Sequence, residues 1–192
     1  MRTPEAKGHA TVNGVELYYE VHGDGSPLIM LHGGVDPSEF LGVPLTAMAR
    51  AHQVIAPHYQ GHGLSKDSSR PWSYEAFADD VAALMDHLGI RKASVMGYST
   101  GALVALQVAI RHPQLVDRLI VVSGGFRSDG YFPEVLQAFA QMPSAAPMIA
   151  TDVSNSPLAT RNPDVNWESM FRKTGELANR GYDWSAAVSG IK

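Results

Sequence analysis

The chain has 192 residues, 45% of them hydrophobic and 18% charged, with a formal net charge of -4 and no cysteine. That length supports one sizeable core, so one ordinary soluble globular domain is expected. Without cysteine there is neither disulfide nor thiolate metal site, and a mildly negative chain with no Lys/Arg block is a poor match for nucleic acid or an acidic membrane surface.

The first elements form a hairpin. Ala10 to Val12 and Val15 to Val21 flank Asn13-Gly14, a dipeptide that supplies two positive-φ positions for a tight turn. Pro27 to Leu31 is a continuous apolar run, as expected for a parallel strand covered on both faces, and His32-Gly33-Gly34 ends it. A helix is expected at about 44–51, with Pro44 tolerated in its first turn. The strand Val54-Ile55-Ala56 follows, and then a loop from Pro57 to Ser65.

Ser73 is a reasonable N-cap for a helix whose Phe77, Val81, Leu84, Met85 and Leu88 share one face before Gly89 stops it. Ala93 to Met96 reads as a buried strand that ends at once in Gly97-Tyr98-Ser99-Thr100-Gly101, and a helix from Thr100 to Arg111 begins there, closed by Pro113. Leu119 to Val122 is one more short buried strand. Strand and helix alternate from residue 27 to residue 125, the pattern of a mostly parallel α/β sheet with helices on both faces.

Past Gly125 the character changes. Residues 126–180 contain no strand-like run but many bulky apolar side chains, among them Phe132, Phe139, Met142, Trp167, Met170 and Phe171. A mostly helical insertion is expected there, bent in its Ser/Pro/Ala-rich middle from Pro143 to Pro157. Packing on the sheet and covering an apolar pocket would explain these side chains equally well. The organisation expected is thus a core over 1–125, an insertion over 126–180 and a return towards the core over 181–192. No strand follows the insertion, so the sheet would keep an open edge that invites self-association. The N-terminal residues lack an apolar segment of the signal type and nowhere do eighteen apolar residues follow one another, so a cytoplasmic chain is expected.

The chemistry centres on Ser99. A strand can reverse sharply into a helix only if the residues two before and two after the turn residue lack bulk, and Gly97 and Gly101 meet that demand. The turn residue is then strained and exposed beside a helix N-terminus, where a nucleophile is useful. The bland alternative is that Ser99 caps the helix and Gly33-Gly34 merely turns the chain.

With the hairpin, Leu31-His32-Gly33-Gly34, Gln60-Gly61-His62-Gly63-Leu64-Ser65 and Gly97-Tyr98-Ser99-Thr100-Gly101 in this order, the chain resembles the N-terminal two thirds of an α/β-hydrolase of the esterase and lactonase-like kind. The resemblance implies a serine hydrolase that acts on a small hydrophobic acyl substrate, with a helical cap over residues 126–180 and no cofactor. It makes Ser99 the nucleophile, the backbone N–H groups of Gly34 and Thr100 the oxyanion donors, and Gly33, Val35 and Tyr98 substrate-binding neighbours. His32 would shape the oxyanion loop and His62 would brace the neighbouring turn.

The family supplies its triad in the order Ser, acid, His. Here the eight histidines are His9, His22, His32, His52, His58, His62, His87 and His112, so none follows residue 112. The triad histidine is therefore missing, the chain reads as truncated, and Asp129 is expected to be a solvated turn residue rather than the acid. A domain that binds a small ligand or a partner without catalysis is the alternative. A metal site from His32, His58 and His62 is not expected, for want of a His-x-x-x-His helix or clustered acids.

Overall fold

The computed structural model describes residues 4–35 and 37–191. Met1 to Thr3, Asp36 and Lys192, the last residue of the expected return segment, lie outside the described residues. Among the described residues six strands form one sheet: β1 (Ala6–Val12), β2 (Val15–His22), β3 (Ser26–Leu31), β4 (His52–Pro57), β5 (Ala93–Tyr98) and β6 (Val116–Val122). Their order is β1-β2-β4-β3-β5-β6, antiparallel from β1 to β4 and parallel from β4 to β6. The β1-β2 turn has Asn13 at φ 48 and Gly14 at φ 78, and the Asn13 amide ties it to Asp80 at 3.0 Å.

Among the described residues seven α-helices accompany the sheet: α1 (Pro37–Met48), α2 (Tyr74–His87), α3 (Thr100–Arg111), α4 (Pro133–Ser154), α5 (Pro157–Arg161), α6 (Trp167–Ala178) and α7 (Ser185–Val188). The two-residue period of β3 sorts its side chains. Leu28 and Met30 pack with Leu45 of α1 and with Ala49 just beyond it, while Ile29 and Leu31 join the larger cluster built with α2 and α3. Phe77 lies at the centre of that cluster with no exposed surface, a burial that contributes about 2 to 3 kcal/mol. Ser73 caps α2 by accepting the Ala76 N–H at 3.0 Å, as its position predicts.

Three local expectations need correction. The helix expected at 44–51 runs instead from Pro37 to Met48, so Pro37 is the proline of the first turn and Pro44 lies inside. The last strand is longer than expected and is not buried, with Ile120 and Val121 exposed by 43% and 37%. The reason is its place: among the described residues β6 pairs with β5 alone and lies at the end of the sheet.

The bend expected between Pro143 and Pro157 is also absent up to Ser154, because α4 runs through both Pro143 and Pro147. A helical proline leaves the carbonyl four residues earlier without its donor. For Pro143 that carbonyl belongs to Phe139, and the Asn179 side-chain amide at the end of α6 donates to it at 2.9 Å. The Pro143 ring in turn lies over Gly175 of α6, where a Cβ would stand 2.5 Å from its Cδ. The two helices pack on each other and contribute Ala146, Ala150, Met170, Phe171 and Leu177 to the larger core cluster.

After α6 the chain runs back along the segment that follows β6. The N–H of Ser128 donates to Tyr182 O and the N–H of Trp184 to Phe126 O, at 2.9 and 2.8 Å. No helix among the described residues is long and apolar enough to cross a membrane.

Candidate active site

Strand order decides what meets at the sheet's carboxyl edge. Leu31 of β3 pairs with Gly97 of β5, and Tyr98 with Val122 of β6. The turn that begins at His32 therefore lies directly beside the one that carries Ser99. A Cβ built on Gly33 would stand 2.9 Å from the Tyr98 ring and 3.2 Å from Ser99 Cβ.

Ser99 has φ 52 and ψ -118, a conformation that costs a non-glycine residue about 1 to 3 kcal/mol and persists only where its surroundings enforce it. The surroundings do so with backbone. The Ser99 N–H donates to Val122 O at 2.9 Å, and its carbonyl accepts from Ala102 N, also at 2.9 Å. A Cβ on Gly97 would fall 2.0 Å from Gly101 O, and one on Gly101 would fall 2.3 Å from Leu31 O. Only hydrogen fits at either place, which is the steric demand inferred for these two glycines. The Ser99 hydroxyl makes no capping hydrogen bond to α3, which removes the cap as an explanation of the residue.

Ser99 opens into a cavity of about 40 Å³ whose walls include Gly34 and Thr100. Of the other residues expected at the site, Gly33 and Tyr98 pack against the turn itself and Val35 packs on the core cluster, and these three do not line this cavity. Its roof comes from Tyr131, Phe139, Thr174 and Leu177, and its side wall from Trp72 and Tyr74.

The sequence reading missed Trp72. The signal was present as a hydrophobic staple: Trp72 precedes the cap Ser73 of α2, and its ring meets Phe77 in the fourth helical position, with centroids 5.8 Å apart.

The three histidines of the neighbouring loops use their rings on the backbone. In His32, Nε2 accepts from Tyr59 N at 3.2 Å, so Nδ1 carries the proton and donates to Gly33 O at 2.8 Å. Burial, with His62 and His58 nearby, holds its pKa well below the ordinary histidine range. His58 Nδ1 accepts the Leu64 N–H at 3.0 Å.

His62 shares the cavity with Ser99, yet its Nδ1 donates to Gln60 O at 3.0 Å, and burial brings its pKa down to about 4 against the pull of the Gln60 carbonyl, Asp67 and the Gly34 backbone. A base that weak is mismatched to proton transfer near neutral pH. No set of three or more His, Cys, Asp or Glu side chains among the described residues could hold a metal ion. Asp129 sits in a surface turn, 66% exposed, with the Arg127 guanidinium beside it holding its carboxyl below the usual range.

Comparison with known proteins places the fold. Residues 26–167 match the family model described as alpha/beta hydrolase fold. The RutD protein of Azorhizobium caulinodans, named as a carbamate hydrolase, is 34% identical over 116 residues, which make up 60% of this chain and 44% of that one. A soluble epoxide hydrolase of a Corynebacterium species is 32% identical over 136 residues, 69% of this chain and 48% of the relative. The chain thus spans about half or less of the length of these curated relatives. Among solved structures, the enol-lactonase from Burkholderia xenovorans superposes with a TM-score of 0.73 at 24% identity, over 96% of this chain and 78% of that one. At that identity the likeness is one of fold.

Proposed function

This chain belongs to the alpha/beta hydrolase fold family, and from that premise we propose that it is a serine hydrolase that cleaves carboxylic ester or lactone bonds through an acyl-enzyme on Ser99. The observation that carries the proposal is the strained, uncapped Ser99 opening into a cavity that Gly34 and Thr100 also line. In the reaction Ser99 Oγ bonds to the acyl carbon while its proton passes to a base. The carbonyl electrons move onto the oxygen, which the main-chain N–H groups of Gly34 and Thr100 receive. The tetrahedral species then expels the alcohol, which takes that proton from the base. Water, giving its own proton to the base, repeats the sequence on the acyl-enzyme to release the acid and return the proton to Ser99 Oγ. Each oxyanion donor contributes about 3 to 4 kcal/mol to the transition state.

Chemistry separates the activities that the relatives' names carry. Opening an epoxide with a serine oxygen would leave an alkyl ether, which water does not cleave near neutral pH, so one event would silence the site. Ester, lactone and carbamate carbonyls leave an acyl group that water can remove.

The base is the component that residues 1–192 do not supply, since the histidines nearest Ser99 are committed to backbone and none follows His112. Activity in this chain is therefore expected to need an added base. The test is hydrolysis of p-nitrophenyl acetate with and without 50 to 200 mM imidazole, as a rough range, in the wild-type chain and in Ser99→Ala, with the buffer reaction subtracted. An imidazole-dependent rate at least 10-fold above that of Ser99→Ala supports the hydrolase. Equal rates in the two proteins favour the second reading, a domain that binds a small ligand without chemistry, which the missing imidazole motivates.

A further inference from the structure

The cavity at Ser99 and a much larger cleft share one wall. The cavity has room for about 40 Å³, and since a water needs roughly 10 to 15 Å³ of such space, it holds about three or four heavy atoms. The cleft measures about 560 Å³, within the range of small-molecule sites, and Gly63, Leu64, Val165 and Met170 are among the residues lining it. Trp72 is the one side chain that lines both.

The indole is fixed from several sides. It is 4% exposed. Its Nε1 donates to Asp67 Oδ1 at 3.2 Å, its ring lies against His62 with centroids 4.7 Å apart, and Lys173 Nζ stands 5.4 Å from the ring centroid. Lys173 belongs to α6 and pairs with Asp67 at 2.5 Å, so loop and roof hold the partition together. Asp67 is itself fixed by the Gln60 amide at 3.0 Å and the Ser68 N–H at 2.9 Å. The ring cannot swing aside without breaking this set.

We propose that Trp72 is a specificity-determining residue: it closes the Ser99 cavity against the neighbouring cleft and so restricts the acyl group at Ser99 to the acetyl size class. The proposal rests on reading Ser99 as the acylated residue. Removing the indole joins the two spaces and admits chains of eight or more carbons, whose apolar ends then lie along Leu64, Val165 and Met170.

The test separates binding from chemistry. In a Ser99→Ala background, ligand-observed NMR titrations with acetone and undecan-2-one, uncharged analogues of a short and a long acyl group, report chain-length preference without any reaction. Trp72→Leu is expected to tighten undecan-2-one at least 10-fold and to leave acetone within threefold. Lys173→Met keeps the indole but frees it from α6, and is expected to shift undecan-2-one about threefold in the same direction.

Unchanged undecan-2-one affinity in a folded Trp72→Leu protein overturns the proposal. If that variant does not fold, the Lys173→Met titration decides by itself, and no gain there overturns it. A binding shift without any Ser99-dependent acylation in the Trp72→Leu protein that retains Ser99 sinks the nucleophile and leaves the partition standing.

Discussion

The floor and the roof of the Ser99 cavity are built from different material. Main-chain atoms make the floor: the turns after β3 and β5 lie in contact, with the carbonyls of Gly101 and Leu31 standing where side chains at Gly97 and Gly101 would have to go. Side chains from two helices, with Tyr131 just ahead of the first, make the roof, and these helices lean on each other through a proline ring over Gly175 and one amide on the Phe139 carbonyl. A backbone wall has no rotamers with which to yield, whereas packed helices can slide by fractions of an ångström. The floor is suited to holding reacting atoms in register, and the roof to varying what is admitted.

Substitutions test that contrast most severely. Gly101→Val would press two methyl groups and a Cβ into the Leu31 and His32 carbonyls, and is expected to destabilise by about 4 kcal/mol, above the common overpacking range. Gly175→Ala meets the Pro143 ring at a similar nominal distance, but in the roof, and should cost about 1 kcal/mol. Urea unfolding of both proteins measures the difference. Comparable losses would erase the distinction between floor and roof.

Acid should weaken the buried loop beside the floor next. The unfolded chain protonates His62 near pH 6.5, while the buried ring resists until about pH 4. Between those values the unfolded state binds the extra proton, so stability is complete above pH 6.5 and falls as the pH drops towards 4. The loss attributable to this ring is on the order of 3 kcal/mol. His32, depressed for the same reason, acts in the same direction. Urea midpoints measured across this window should fall steadily, and more gently in His62→Gln. A flat profile would mean that the ring is not held neutral.

Two smaller effects sharpen the comparison. Asn179→Ala withdraws the donor from the Phe139 carbonyl and should destabilise the roof by about 1 kcal/mol, with faster amide exchange confined to α4 and α6. Ser99→Gly relieves the strain at φ 52 and should raise stability by up to about 1 kcal/mol, whereas Ser99→Ala, which keeps a Cβ, should not. Thermal melts of the two variants distinguish them.

The floor was legible in the sequence for the reason that makes it rigid. Gly33 and the pair Gly97 and Gly101, like Asn13-Gly14 in the β1-β2 turn, are residues whose presence is explained by backbone geometry, and such geometry leaves a mark at fixed spacing. Helices α2 and α3 were legible through a cap and an apolar face.

What failed was set by distant partners. Nothing local announces that Asn179 will relieve Pro143, so a bend was expected where α4 continues. Nor does an apolar run such as Leu119 to Val122 reveal that it will lie at an edge. The staple spacing of Trp72 to Phe77 is local and marks only where α2 begins, whereas the place of the indole beside Ser99 depends on strand order. Pro44 misled because Pro37, seven residues earlier, opens the helix.

The claim on which the rest depends is that the hydroxyl at position 99 is the group that becomes acylated. The most direct measurement is peptide-resolved mass spectrometry of the chain after reaction with a fluorophosphonate in the presence of imidazole. The account predicts a single adduct on the peptide containing Ser99, formed faster as imidazole is raised and absent from Ser99→Ala. Label spread over tyrosines and lysines, or a Ser99→Ala protein labelled as readily as the wild type, would contradict it.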